Sequence, residues 1–239
     1  MGLLIPSATE IEMVRAVFSW SGGKDGAHAL DKIQDSKEYE ITDLLTTVSE
    51  TTQRSVHHGI RKELIQSQSE ELDIPVNLVE LPEGCTNDEY EEIMSQVLAN
   101  YRERGIDTMV FGDIHLEDVR KYREENLSKA DFKGHWPMWG EETTDLIQGF
   151  LAAGFKATIV AVNTNNLDRS FVGREVNRDF LDDLPEDVDP YGEYGEYHTY
   201  VWDGPIFNTP IHLEEGEKVE RQLGDATMYY CDLHERSKS

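Results

Sequence analysis

Phe18-Ser19-Trp20-Ser21-Gly22-Gly23-Lys24-Asp25-Gly26 decides the fold, because an apolar run breaks there into two glycines and a lysine, and a helical pattern follows. Residues 14–20 are apolar enough and long enough for one buried strand, and the glycines permit a sharp turn. Ala27, Ala29, Leu30 and Ile33 give residues 24–33 one apolar side, so the turn falls at a helix N-terminus. Backbone N–H groups at that position lack intrahelical acceptors and attract anions. Gly22 and Gly23 place no Cβ in the way of a phosphate, Ser19 and Ser21 offer hydroxyls, and Lys24 adds a point charge. Asp25 either holds a magnesium ion or orients Lys24. The plain alternative is a tight turn with a solvated lysine; the coincidence of both glycines, both serines and the lysine at one junction favours phosphate. The segment has neither the Walker A spacing nor the Gly-x-Gly-x-x-Gly pattern, which disfavours a P-loop kinase or a dehydrogenase.

Outward from that turn, strand-like and helical patterns alternate, which predicts a doubly wound parallel sheet. Strands are expected at 41–48, 75–81 and 107–111, and helices at 57–72 and 88–104, with a further helix carrying Leu116, Val119, Arg120 and Tyr122. Ligands of such sheets bind at the carboxyl edge of the strands. Residues 19–24, the turn at 48–55 and Gly112-Asp113 should therefore converge on one crevice. Asp113 is equally an N-cap or a catalytic group on this reading. His57 and His58 open the second helix, as a surface pair or as a lining of the nucleotide pocket.

The style changes after Lys133, where Gly134-His135-Trp136-Pro137-Met138-Trp139 is aromatic and irregular. The expected division is a nucleotide unit at 1–133 and a smaller α+β unit at 134–239, with a helix at 142–153, a strand at 155–162 and a helical segment after Arg174. The chain has 22 basic and 48 acidic residues, a net charge of −26, which opposes binding to a nucleic-acid phosphate backbone. No apolar stretch is long enough to span a membrane, and acidic residues within 1–15 are unlike a signal peptide, so a cytoplasmic protein is expected. Cys85 and Cys231 match no metal spacing and are expected to be reduced, structural thiols.

The second informative stretch runs from Gly192 to Phe207 and includes Gly192-Glu193-Tyr194-Gly195-Glu196-Tyr197-His198-Thr199. From Glu196 it alternates as a strand, with Glu196, His198, Tyr200 and Trp202 on one face and Tyr197, Thr199 and Val201 on the other. Carboxylates beside aromatic faces form a seat for a cationic ligand. The alternative is an ordinary strand with a solvated acidic start.

Ser21-Gly22-Gly23-Lys24-Asp25 resembles the pyrophosphate loop of the PP-loop ATP pyrophosphatases, which split ATP between its α and β phosphates. Gly26 replaces the serine that usually follows. Together with Gly192-Glu193-x-Gly195-Glu196-Tyr197-x-Thr199, and with Gly112-Asp113-Ile114, Arg120, Pro137-Met138-Trp139 and Gly154 between them, it resembles the diphthine-ammonia ligase family over nearly the whole chain. That resemblance implies a Rossmann-like PP-loop domain and an AMP-forming carboxylate-ammonia ligase using ATP and Mg2+. The substrates would be ammonia and a carboxylate acceptor, either diphthine on an elongation factor or another acid.

By the same resemblance Ser19, Ser21, Gly22, Gly23, Lys24, Asp25, Gly112 and Asp113 bind nucleotide or metal. Lys24, Glu193 and Glu196 act in catalysis, and Glu193, Gly195, Glu196, Tyr197 and His198 face the acceptor. His198 stands where relatives commonly carry a third glutamate. A PP-loop sulfur transferase acting on tRNA and a nucleotide-binding module without turnover are the alternatives. Assembly as a homodimer is an open expectation.

Overall fold

The protein is described from a computed structural model covering residues 13–56, 58–223 and 226–236. Its organising element is β1 (Val14–Ser19), in which Ala16, Val17 and Phe18 are all fully buried. Both faces of β1 are covered because it is the middle strand of a five-stranded parallel sheet. β2 (Tyr39–Ser49) and β3 (Val76–Leu81) lie to one side of it, and β4 (Thr108–Val110) and β5 (Lys133–His135) to the other, giving the order β3-β2-β1-β4-β5.

Alternating side chains of β1 enter two separate apolar clusters. Ala16 and Phe18 pack with α1 (Lys24–Ser36) and α2 (Lys62–Glu71) through Ala27, Leu30, Leu64 and Ile65. Val17 packs on the opposite face with α3 (Asn87–Glu103) and α4 (Glu117–Lys129) through Leu98, Tyr101 and Leu127. α3 starts where Thr86 and Glu89 form a reciprocal capping box. After β3 the chain returns past β1 to β4, so the order reverses between β1 and β4 and opens a crevice at the strands' carboxyl ends.

The second unit is α5 (Thr143–Ala152), β6 (Lys156–Asn163), α6 (Arg178–Asp183), β7 (Tyr197–Asp203), β8 (Leu213–Leu223) and β9 (Ala226–Glu235). Its four strands form an antiparallel sheet in the order β7-β6-β9-β8. The two sheets share one core, since Phe150, Ile159 and Tyr200 belong to the same cluster as Phe18 and Ile65. The fold is therefore α/β, a doubly wound parallel sheet joined to a smaller antiparallel unit. Among the described residues no helix is long and apolar enough to cross a membrane.

The helix expected at 57–72 is shorter. α2 begins only at Lys62, because the Ser55 amide donates to the Ile60 carbonyl, the Ile60 amide donates to Ser55 Oγ, and Gly59 takes a left-handed φ of 68°, forming a turn. His57 lies outside the described residues. Neither β8 nor β9 was expected; β8 is a mostly exposed edge strand carrying Glu214, Glu215, Lys218, Glu220 and Arg221. Charges along an edge oppose pairing with further strands and also remove apolar alternation from the sequence.

Candidate active site

The glycine turn between β1 and α1 is held from the second sheet. The Val201 amide donates to the Gly22 carbonyl at 2.9 Å, and the Lys24 amide donates to Thr199 Oγ1 at 3.0 Å. Gln68 of α2 joins the same knot: its Nε2 donates to the carbonyls of Gly22 and Val201, while its Oε1 accepts from Trp20 Nε1. Gly22 has φ 81° and a Cβ there would lie 2.8 Å from Ile65 Cδ1, so only glycine suits the turn. A Cβ on Gly112 would lie 2.9 Å from the carbonyl of Asp25, which fixes how closely the end of β4 approaches the start of α1.

A cavity of about 640 Å³ opens from this turn. Ser19, Ser21, Asp25, Gly26 and Gly112 line its polar end, where the amides at the start of α1 have no intrahelical acceptor. Its opposite end, between α3 and α4, has an apolar lining of Tyr90, Met94, Leu98, Met109 and Leu127, with Glu91, Arg123, Asn126 and Lys129 of the same helices also bordering it. Glu193, Tyr194, Gly195, Tyr197 and His198 border the same space, so part of each expected set meets across one cavity, while Gly22, Gly23, Lys24 and Glu196 do not line it. Ser55 also borders it, as the expected convergence of the 48–55 turn required. Asp113 is not an N-cap: α4 is capped at Leu116, and the Asp113 carboxylate pairs with Arg123 Nε at 3.0 Å and accepts from Trp136 Nε1 at 3.3 Å.

Lys24 is only 1% exposed and does not border the cavity. Its Nζ lies 2.9 Å from Asp25 Oδ1, 4.3 Å from the centre of the Tyr191 ring and 5.0 Å from that of Tyr197. Burial pushes both phenols well above their ordinary range, with Asp25 adding to the effect, so each ring is a neutral face for the cation. Tyr191 was not anticipated from sequence, since its pairing with Lys24 spans most of the chain. Its hydroxyl also lies 3.1 Å from Nδ1 of His28, an imidazole that burial lowers to about 4.

The two glutamates of the second stretch differ in what they hold. Glu193 reaches across to the β4–α4 junction, where its Oε1 accepts from the amides of Ile114 (3.0 Å) and His115 (2.9 Å). Burial raises its carboxyl above the ordinary range, against those amides, and nearby Asp25 raises it further. Glu196 is buried and does not border the cavity; it accepts from the amides of Asp189 (3.3 Å) and Tyr194 (3.0 Å) and thereby braces its own loop. Asp189 completes the brace by accepting from the amides of Tyr191 and Glu193 and from Thr143 Oγ1.

His58 and His198 stack at 4.5 Å on the cavity wall, and a Cβ on Gly23 would lie 3.0 Å from His58 Cε1. The loop bearing His58 is tied to β9, where Asp232 accepts from Arg54 (2.8 Å) and Arg61 (2.6 Å). The two guanidiniums hold the Asp232 carboxyl far below its ordinary range despite burial, which opposes them.

Fold and loop position define an α/β protein of the Rossmann-like PP-loop class. Residues 14–131 match the diphthamide synthase N-terminal domain and residues 142–236 the diphthamide synthase C-terminal domain, and the chain belongs to that family. Similar curated proteins include the diphthine–ammonia ligase of Schizosaccharomyces pombe, 28% identical over 169 residues that make up 69% of this chain and 27% of the relative. The diphthine–ammonia ligase of Bos taurus is 26% identical over 164 residues, 64% of this chain and 61% of the relative. The chain thus spans about a quarter of the first relative and just under two thirds of the second. Among solved structures, the U34-tRNA thiolase NcsA from Methanococcus maripaludis with its [4Fe-4S] cluster aligns at a TM-score of 0.35 and 16% identity, covering 61% of this chain and 58% of that one.

Proposed function

We propose that the protein is an ATP-dependent, AMP-forming amide ligase of the diphthine-ammonia ligase type. A substrate carboxylate attacks the α phosphate, pyrophosphate leaves, and ammonia converts the acyl-adenylate to an amide. The single cavity joining the glycine turn to Glu193, Tyr197 and His198 carries this reading. The expected division into 1–133 and 134–239 would cut β5, so the nucleotide unit would run through His135 and the acceptor unit would follow it, in a cytoplasmic protein.

The phosphates would lie at the polar end, against the first amides of α1 and the hydroxyls of Ser19 and Ser21, where donors meet charge that develops on the leaving group. The base would enter the apolar end between α3 and α4. Among the described residues no three His, Cys, Asp or Glu side chains form a metal cluster, so Mg2+ would be held by Asp25 together with phosphate oxygens and water. Bound there, it would neutralise charge on the departing pyrophosphate. Gly112 and Asp113 shape the floor opposite the turn. Glu193 would meet the acceptor, with Gly195, Tyr197 and His198, and its raised carboxyl suits it to take a proton from the attacking amine. Glu196 would act through the loop that presents Glu193.

Sulfur transfer is disfavoured by the thiols. Neither Cys85 nor Cys231 borders the cavity, and burial pushes the Cys231 thiol up to about 11, far from the low value of a reactive cysteine. The test is release of pyrophosphate and AMP from magnesium-ATP and ammonium, with and without an elongation factor bearing diphthine. Release that depends on the factor supports the reading with that acceptor; release that depends on another acid keeps the chemistry and rejects diphthine. No release with any acid leaves the module without turnover as the better account.

A further inference from the structure

The side chain of the loop lysine is turned away from the space its charge would serve. Lys24 does not border the cavity, whereas two groups that surround its Nζ, Asp25 and Tyr197, do. The Nζ occupies a closed seat made of one carboxylate and two buried aromatic faces, one of which, Tyr191, is fully buried and touches no part of the cavity. Phosphate at the start of α1 competes with Asp25 for this ammonium group, and the long lysine stem allows it to turn from one to the other. A pocket that fits the head of a lysine then stands empty beside the reacting centre.

We propose that this seat, formed by Tyr191, Tyr197 and Asp25, is the binding site for the ammonium substrate, occupied by Lys24 until nucleotide draws the lysine out. The inference rests on the amide-ligase reading and deepens it. Free ammonium has the charge, the size and the N–H donors of the group already bound, which meets both Asp25 oxygens, so two aromatic faces with one of those oxygens recognise it while the other is left for Mg2+. Binding is then ordered: ammonium enters only after nucleotide, and Lys24 blocks the seat in the free protein. Glu193 borders the cavity close by.

The deciding experiment is diffraction from the whole protein with α,β-methylene-ATP, magnesium and rubidium chloride, rubidium serving as a heavy stand-in for ammonium. The expected result is anomalous density between the Tyr191 and Tyr197 rings, lost on adding ammonium chloride and absent without nucleotide. Lys24 still resting on Tyr191 with nucleotide bound, or no rubidium in the seat, overturns the proposal. Neither outcome depends on turnover, so it is separable from failure of the ligase reading, which shows as absent ATP–pyrophosphate exchange. In solution, Tyr191→Leu should raise the ammonium KM about tenfold with a much smaller change in exchange, while Tyr191→Phe, which keeps the ring, should stay within about twofold of the parent. Parallel loss of both half-reactions in the leucine variant, or an equal shift in the phenylalanine variant, counts against it.

Discussion

The glycine turn at 21–26 and the acidic loop at 189–196 face each other across one cavity, yet they are held in opposite ways. The first is fixed from outside, by Gln68, Thr199 and Val201, which leaves its Ser21, Asp25 and Gly26 on the cavity wall. The second is fixed largely from inside, by Asp189 and Glu196 bonding to neighbouring amides, with Glu193 anchored across the gap. Acidic residues in a motif therefore do not all aim at substrate. One presents itself to the cavity, and the others keep its backbone in place.

The contrast is broken most severely by Gly112→Ala. Its Cβ would strike the Asp25 carbonyl, backbone against backbone, and move the first turn of α1. Pyrophosphate release should fall beyond about a hundredfold with the circular dichroism spectrum preserved. A variant with parental turnover would show that the turn adapts, against the externally fixed geometry described above.

The link between the two loops is sharpened by pH. His28 on α1 meets Tyr191 of the acidic loop, and burial lowers its imidazole from 6.5 to about 4. Between those values the unfolded chain binds a proton that the folded one refuses, so stability is full above 6.5 and falls as pH drops towards 4, by on the order of 3 kcal/mol. Urea midpoints across that range should show the loss in the parent and a flatter curve in His28→Leu. Equal slopes would remove His28 as the source.

Asp189→Ala should affect the second loop alone. The amides of Tyr191 and Glu193 and the Thr143 hydroxyl lose their acceptor. Equilibrium unfolding should report a loss of about 2 kcal/mol, and ATP affinity measured by calorimetry should change far less than acceptor-dependent turnover. Equal loss of both would contradict the separate fixing of the two loops.

The smallest effect is a gain. A Cβ at Gly26 meets Trp20 at 3.5 Å, an ordinary contact, so Gly26→Ser fits the helix and adds a hydroxyl at the polar end of the cavity. The ATP KM should fall by up to about fivefold, the equivalent of one hydrogen bond.

What could be read from the sequence follows the range of the forces involved. The turn at 21–26 and α1 were legible because glycine, lysine and apolar spacing are neighbours in the chain. α3 was placed to within a residue, since its start is fixed by the local Thr86–Glu89 box. β7 was visible as alternation, although it is buried on both faces. The 57–61 segment read as helix because nothing nearby in sequence reveals Asp232, which ties Arg54 and Arg61 from β9. The roles of Glu196 and Tyr191 were hidden for the same reason: a carboxylate turned back on its own loop and a ring under a distant lysine leave no periodic trace.

The knot of Gly22, Gln68 and Val201 has a consequence for the order in which the protein is made. The turn that would grip the triphosphate leaves the ribosome well before Thr199 and Val201, which set its carbonyl and amide directions and follow some 175 residues later. A nascent chain therefore carries the glycine turn through the synthesis of all the intervening residues without the strand that shapes it. Nucleotide capture of the kind proposed would wait until the strand bearing His198 and Thr199 has been added, so a chain still lacking that strand would have no formed grip with which to spend ATP unproductively.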